Sequence, residues 1–312
     1  MRLVYMGTPD IAVPALEALI EAGHDVAAVV TQPDRAQGRH KELVPPPVKA
    51  AAQAHNIPVL QPEKASDPDF IEELRKYEPE LIIVMAYGQI LKKTLLELPP
   101  LGCINIHASL LPKYRGAAPI SAVILAGEEK TGVTTMYMDE GLDTGDMLLK
   151  EVVDIADDET AQSLETKIAA IGGSLIVKTL DSLQAGTLVR EKQNDKEATY
   201  VKMIRKEEGQ IDWTASAVDI ERRIRAFYPW PGTYTWHNGG RIKIYAADVM
   251  GIAGSVPAGT VVSAAGGRII VACGEGALSI TSLQSEGKKR MDAADFLRGY
   301  RLSAGDRFTG KE

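Results

Sequence analysis

Cysteine is almost missing from this chain: two residues in 312. So few exclude a disulfide framework and point to a reducing compartment. No apolar run is long enough to span a membrane. The start, Met1-Arg2-Leu3-Val4-Tyr5-Met6, reads as a first strand and lacks the layout of a secretory leader, so the cytoplasm is the expected location. Basic charge is not in excess either. The net balance of −7 argues against a uniformly basic nucleic-acid binder. Gly7-Thr8-Pro9 is not followed by the glycine spacing of a dinucleotide fingerprint, which disfavours a nicotinamide-dependent dehydrogenase. No His/Cys cluster accompanies the acidic residues, and their spacing does not fit an EF-hand loop, so no metal is expected.

What is present divides near residues 188–208. Before that region strands alternate with helical stretches: Arg2–Met6, helix Pro14–Ala22, strand His24–Thr31, helix Val48–His55, short Pro58–Leu60, helix Pro68–Lys76 and strand Leu81–Ala86. Such alternation predicts an α/β fold, a Rossmann-like parallel sheet with helices on its faces. Arg190 to Gln210 is charged and polar, the composition of a linker. After it come helical Glu221–Phe227 and five short β-type runs, Gly232–His237, Arg241–Ala246, Thr260–Ser263, Arg268–Cys273 and Ala277–Leu283, then helix Asp292–Arg298. Asn238-Gly239-Gly240 is a hairpin signal. The pattern predicts a small β-barrel, and strand count alone does not separate an OB-like barrel from an SH3-like one. The domains are accordingly 1–189, a linker 190–208, and 209–312.

The most informative stretch is Asn105-Ile106-His107 running into Ser109-Leu110-Leu111-Pro112-Lys113-Tyr114-Arg115-Gly116. It follows apolar Leu101–Ile104, so Asn105 and His107 project together from a strand end. Open α/β sheets place ligands at the carboxyl ends of their strands. An amide that donates to a developing oxyanion, beside an imidazole that accepts a proton, suits acyl transfer. The alternative at this point is a structural histidine satisfied by a neighbouring carbonyl. A second apolar strand, Gly132–Met138, leads into Asp139-Glu140-Gly141-Leu142-Asp143-Thr144-Gly145-Asp146. If the strands are near neighbours, Asp143 approaches His107 and favours its charged form; otherwise the loop is a solvated acidic turn. Cys103 reads as a small buried hydrophobe.

Charge is uneven along the chain. From Lys206 onward there are 14 Lys/Arg against 12 Asp/Glu, whereas the preceding residues hold 21 against 30. Lys288, Lys289 and Arg290, with Arg298 and Arg301, are candidates to contact phosphates, set against an ordinary solvated face. Arg35, Arg39, His40 and Lys41 crowd a loop after the second strand. Such a loop overlies the crevice of a Rossmann-like sheet and suits a nucleotide phosphate or RNA.

Asn105-x-His107, Ser109-Leu110-Leu111-Pro112 and Leu142-Asp143-x-Gly145 resemble the folate-dependent formyltransferase family. Gly7–Asp10, Thr31–Arg35, Arg115–Ile120, Gly141–Asp146, Arg225–Phe227 and Pro229–Pro231 extend the resemblance over essentially the whole chain and mark the branch acting on methionyl-tRNA. The resemblance implies transfer of a formyl group from 10-formyltetrahydrofolate to the α-amine of initiator methionyl-tRNA, by a monomer without metal, and an OB-like second domain. It implies Asn105, His107 and Asp143 as catalytic residues. It also implies a pterin site bounded by Met85, Tyr87, Gly88, Ile90 and Asp139, with Ser109, Leu110, Leu111 and Pro112 bordering the cofactor. Arg39 and Lys41, with Arg35, are implied to reach the tRNA end. The competing readings are formylation of a small amine, hydrolysis of formyltetrahydrofolate and a non-catalytic RNA-binding role; the last leaves Asn105, His107 and Asp143 unexplained.

Overall fold

The strands of the amino-terminal half form because their sequences are runs of β-branched and aliphatic residues too short for helices. A computed structural model describes residues 1–37, 42–251 and 256–310. They form two compact units. The first comprises Met1–Pro119, Lys130–Asp154 and Glu165–Val201; the second comprises Ile120–Glu129, Ile155–Leu164 and the described residues from Lys202 onward.

In the first unit lie β1 (Arg2–Gly7), α1 (Val13–Glu21), β2 (Asp25–Val30), β3 (Arg35–Gln37), β4 (Glu42–Val44), α2 (Pro47–Ala54), β5 (Val59–Leu60), α3 (Pro68–Arg75), β6 (Leu81–Met85), α4 (Lys93–Leu96), β7 (Cys103–His107) and β8 (Arg115–Gly116). After α5 (Pro119–Ala126) come β9 (Lys130–Tyr137), β10 (Met147–Asp154), the long α6 (Ala161–Gln184) and β11 (Tyr200–Val201). One sheet runs in the order β10-β9-β7-β6-β1-β2-β5. From β7 to β5 its neighbours are parallel, but β9 is antiparallel to β7 and β10 to β9. The strands marked by the alternation, β1, β2, β5 and β6, are parallel as expected, and antiparallel pairing enters only beyond them, at β9. The chain between β9 and β10 is a short loop, and antiparallel neighbours need no helical crossover.

The two faces follow from alternation. Val4 and Met6 of β1, Ile82 and Val84 of β6 and Cys103 of β7 share a core with Phe70, Leu74, Leu95 and Leu96. On the other face α6 comes very close: a Cβ on Gly172 would stand 3.1 Å from Ile106 Cγ2 and 3.3 Å from Met85 Cε. Small residues there let the helix lie against the sheet.

Arg190–Val201, expected as linker, is instead built into the first unit. β11 pairs with β8 in parallel, Tyr200 beside Arg115 and Val201 beside Gly116. The polar residues that suggested a solvated tether are there to make hydrogen bonds, which composition does not distinguish.

The second unit contains α7 (Ala217–Ala226), β12 (Thr233–His237), β13 (Gly240–Met250), β14 (Val261–Ala265), β15 (Arg268–Ala272), β16 (Ala277–Ser285), β17 (Met291–Asp292) and α8 (Ala293–Gly299). The antiparallel order is β12-β13-β16-β15-β14, with β17 on β16. The end of the chain closes this sheet: Trp236 and Thr309 exchange backbone bonds of 3.1 and 2.9 Å, and Val261 N–H donates to Asp306 O at 2.8 Å. The barrel encloses Ile242, Ile244, Val261, Val271, Leu278, Ile280, Phe296 and Phe308. Residues 120–129 and 155–164 also group here, inside the stretch 1–189 that the sequence reading treated as one domain. Arg225 Nη1 donates to the carbonyl of Glu159 at 3.1 Å, which ties the second of those segments to α7.

Candidate active site

β7 brings Asn105 and His107 to one side of the central sheet, at its last residues. Asn105 is half-buried, opposite Val84 of β6 and Met136 of β9. His107 is 6% exposed. Its Nε2 lies 3.0 Å from the carbonyl of Tyr114, so that nitrogen carries a proton and donates. Its Nδ1 faces Asp143 Oδ2 at 3.7 Å. The neighbouring carbonyl of the structural reading and the carboxylate of the functional one are both present, on opposite sides of one ring.

The loop carrying Asp143 does not extend directly toward His107. Met138 N–H donates to Cys103 O, so the loop leaves β9 beside the first residue of β7 and folds back. Asp143 adopts φ 55°, in the left-handed region. Its Oδ2 accepts a 2.8 Å bond from Gly116 N–H, and its carbonyl accepts a 2.8 Å bond from Gln193 Nε2, which also donates to Gly145 O. Gln193 Oε1 in turn accepts from Arg115 Nε at 3.0 Å and Nη2 at 2.8 Å. Arg115 is fully buried, and completes its bonds with the Tyr200 hydroxyl and Asp195 at 2.8 and 2.9 Å.

The Ser109–Pro112 turn is fixed from below. Ser109 is fully buried and its hydroxyl donates to Lys113 O at 2.7 Å. Thr134 of β9 donates to Ser109 O at 2.7 Å and accepts from Leu111 N–H at 3.2 Å. Leu111 packs with Met136 and Met147, and Leu110 lies over Gly132, so their side chains support the turn. Pro112 is half-buried and its peptide bond is cis.

Around the end of β6 the expected pterin-side residues part company. Met85 is buried against α6, on the face away from His107, and offers the site only its backbone. Tyr87 is 2% exposed, its phenol pushed up to about 12 by burial. Its hydroxyl and Gln32 Nε2 are buried polar atoms without a hydrogen-bond partner. Gly88 takes φ +91°, and a Cβ there would meet nothing nearer than Gln32 Cγ at 3.9 Å. Ile90 projects into solvent, 83% exposed. Asp139 closes its own turn, accepting from Thr144 Oγ1 at 2.6 Å and Gly141 N–H at 3.0 Å. Thr8 joins this loop to the one after β2: its hydroxyl donates to Tyr87 O at 2.9 Å and accepts from Gln32 N–H at 3.2 Å. Unpartnered polar atoms beside backbone groups suit a polar heteroaromatic ring.

Of the expected nucleic-acid contacts, Arg39 and Lys41 lie outside the described residues, and Arg35 is exposed on β3. Lys288 and Lys289 are exposed on the barrel. Arg290 is engaged: it donates to Ser282 Oγ at 2.8 Å and sits 4.7 Å over the Tyr245 ring. Among the described residues no group of three or more His, Cys, Asp or Glu is placed to hold a metal ion. No helix among them is long and apolar enough to cross a membrane.

Sequence reasoning missed Gln193 altogether, because a lone amide in a polar stretch carries no signal. Arg115 stood inside a recognised segment, but nothing in the sequence marked it as buried.

Residues 1–180 match the formyl transferase family and residues 203–301 match its C-terminal domain. A methionyl-tRNA formyltransferase of Geobacter sulfurreducens is 51% identical over 307 residues, 98% of this chain and 96% of that protein. Another, from Lachnospira eligens, is 52% identical over 310 residues, 98% of each. Among solved structures, an N-formyltransferase of Helicobacter canadensis, in complex with folinic acid and dTDP-3-aminofucose, superposes with a TM-score of 0.65 at 20% identity. It covers 90% of this chain and 98% of its own, a likeness of fold. With both of its halves matched and half of its residues shared along nearly the whole length, the chain belongs to the formyl transferase family, in the methionyl-tRNA formyltransferase branch.

Proposed function

We infer that the chain transfers the formyl group of 10-formyltetrahydrofolate to the α-amine of methionine on initiator methionyl-tRNA. The observation that carries the chemistry is His107 facing Asp143 at 3.7 Å, beside Asn105 on the same strand end. When bound, 10-formyltetrahydrofolate supplies an electrophilic formyl carbon and N10 as the departing amine. Asn105 donates through its side-chain amide to the oxygen on which charge develops, a role worth roughly 10²–10³-fold. His107 takes the proton that the attacking amine releases and returns it toward the leaving nitrogen, worth about 10²–10⁴-fold. Asp143, facing Nδ1 at 3.7 Å, orients the imidazole. No covalent enzyme intermediate is needed, so neither cysteine is required.

The folate co-substrate is held by the loop from Met85 to Ile90 and the turn at Asp139, with Ser109, Leu110, Leu111 and Pro112 as its border. Their contributions differ. Tyr87, Gly88 and the Met85 backbone present polar groups, and exposed Ile90 and Leu142 offer apolar cover. The barrel unit, through Lys288, Lys289 and Arg290, and the loop with Arg35, Arg39 and Lys41 bind the tRNA. The enzyme acts as a monomer in the cytoplasm, and sizing by light scattering tests the first of these. The activity is tested by mixing 10-formyltetrahydrofolate with initiator and elongator methionyl-tRNA. Formylation of the initiator alone, lost in His107→Ala, is expected. Formate release without an acceptor, or formylation of a small amine only, refutes the tRNA assignment.

A further inference from the structure

We propose that Gln193 and Arg115 are positioning residues that hold Asp143 against His107. The inference rests on the catalytic reading above and concerns a pair that touches neither His107 nor Asn105. A non-glycine residue in the left-handed region, as Asp143 is at φ 55°, persists where its surroundings fix it. Two restraints do so, and both trace to one pair. Gln193 Nε2 spends its two protons on the carbonyls of Asp143 and Gly145, each at 2.8 Å, which fixes the backbone on both sides of Thr144. The residue adjoining Arg115, Gly116, donates its N–H to the Asp143 carboxylate at 2.8 Å, which fixes the side chain.

The pair is itself rigid. Gln193 Oε1 receives two bonds from a guanidinium with no exposed surface, and Asp195 and Tyr200 receive the next. The same segment is strapped along the loop at further points: Arg190 pairs with Asp146 at 3.0 Å and lies 4.2 Å over the Tyr137 ring, and Glu191 bridges Met147. Only an amide satisfies this place, since two carbonyls require donors and the guanidinium requires an acceptor. A glutamate keeps an acceptor for the guanidinium and loses both donors.

Charged groups around this assembly are Asp143 toward His107 Nδ1, Arg115 toward Gln193 and Asp195, and the Arg190–Asp146 pair. Releasing Asp143 therefore takes from His107 the carboxylate that faces its Nδ1.

The experiment compares full-length wild type, Gln193→Ala, Gln193→Glu and Asp143→Asn, plus each Gln193 variant combined with Asp143→Asn. Misplacing a catalytic group by about 1 Å costs on the order of 10²-fold. Both Gln193 variants are expected to lower kcat by roughly 10–10²-fold, with KM for either substrate changed by less than about 3-fold. Both add little to the loss already present in Asp143→Asn. If Gln193→Ala fails to fold, Gln193→Glu, which retains an acceptor oxygen for Arg115, is read alone. The proposal is overturned if kcat stays within about 2-fold of wild type, or if the two losses multiply. Should the wild type prove to formylate a small amine or release formate, the same comparison is made on that reaction. The positioning role then stands or falls apart from the tRNA assignment.

Discussion

The carboxylate of Asp143 accepts its hydrogen bond from the backbone amide of Gly116, 27 positions earlier, at 2.8 Å. The bond works only if Gly116 holds φ +111° with Val201 pressed against its Cα, where a Cβ would overlap the Val201 carbonyl. Gly116→Ala is expected to destabilise the first unit by ~1–3 kcal/mol and to lower kcat as Asp143 loses its donor. Urea unfolding followed alongside initial rates checks both, and unchanged midpoint and rate would falsify the close-packing argument.

The thiols give a test by reactivity. Burial pushes Cys103 up to about 12 and Cys273 up to about 11. Both stay protonated in the native protein at pH 8, so disulfide reagents are expected to titrate them slowly, and both promptly after denaturation. The stability these neutral thiols contribute is complete below the unfolded thiol range. It fades as pH rises through the folded values, so native stability falls between about 9 and 12. Cys103→Ala flattens that alkaline slope. Fast native labelling at pH 8 counts against the burial.

Acid acts on a different group. Lys49 donates to both oxygens of Asp34 at 2.8 Å, and Gln61 donates to it as well; these bonds hold the Asp34 carboxyl below its ordinary value. A depressed carboxylate contributes stability above its unfolded value and loses it as pH falls through the folded one. Lys49→Met is expected to narrow the gap between denaturation midpoints at pH 7 and pH 3. An identical gap in both proteins rejects the clip.

On the barrel, salt separates contact from support. Lys288→Ala and Lys289→Ala are each expected to weaken initiator tRNA binding and to reduce the slope of log K against log salt by about 1. Arg290→Ala does more, because Arg290 also bonds Ser282 and covers Tyr245: its melting temperature falls too. Binding isotherms at several salt concentrations, with a thermal melt of each variant, decide this. Equal slopes in wild type and the lysine variants place the tRNA elsewhere.

Much of the site was legible without coordinates. Strand alternation put Asn105 and His107 on one side of β7, and the apolar runs around β1, β2 and β6 marked the sheet that presents them. The spacing of short strands and the Asn238-Gly239 turn foretold the barrel. Periodicity and turn chemistry are local, so a sequence carries them intact.

What the tertiary structure alone decided is non-local. Asp143 reaches His107 because its loop folds back from Cys103, which no local preference encodes. β9 runs against the other strands of its sheet, and β10 turns back against β9. Arg190–Val201, polar enough to pass for a tether, is the strap on which the Asp143 loop rests. A polar residue's composition is the same whether water or a buried guanidinium satisfies it. Only the fold, by bringing Arg115 and Gln193 together from 78 positions apart, selects between the two.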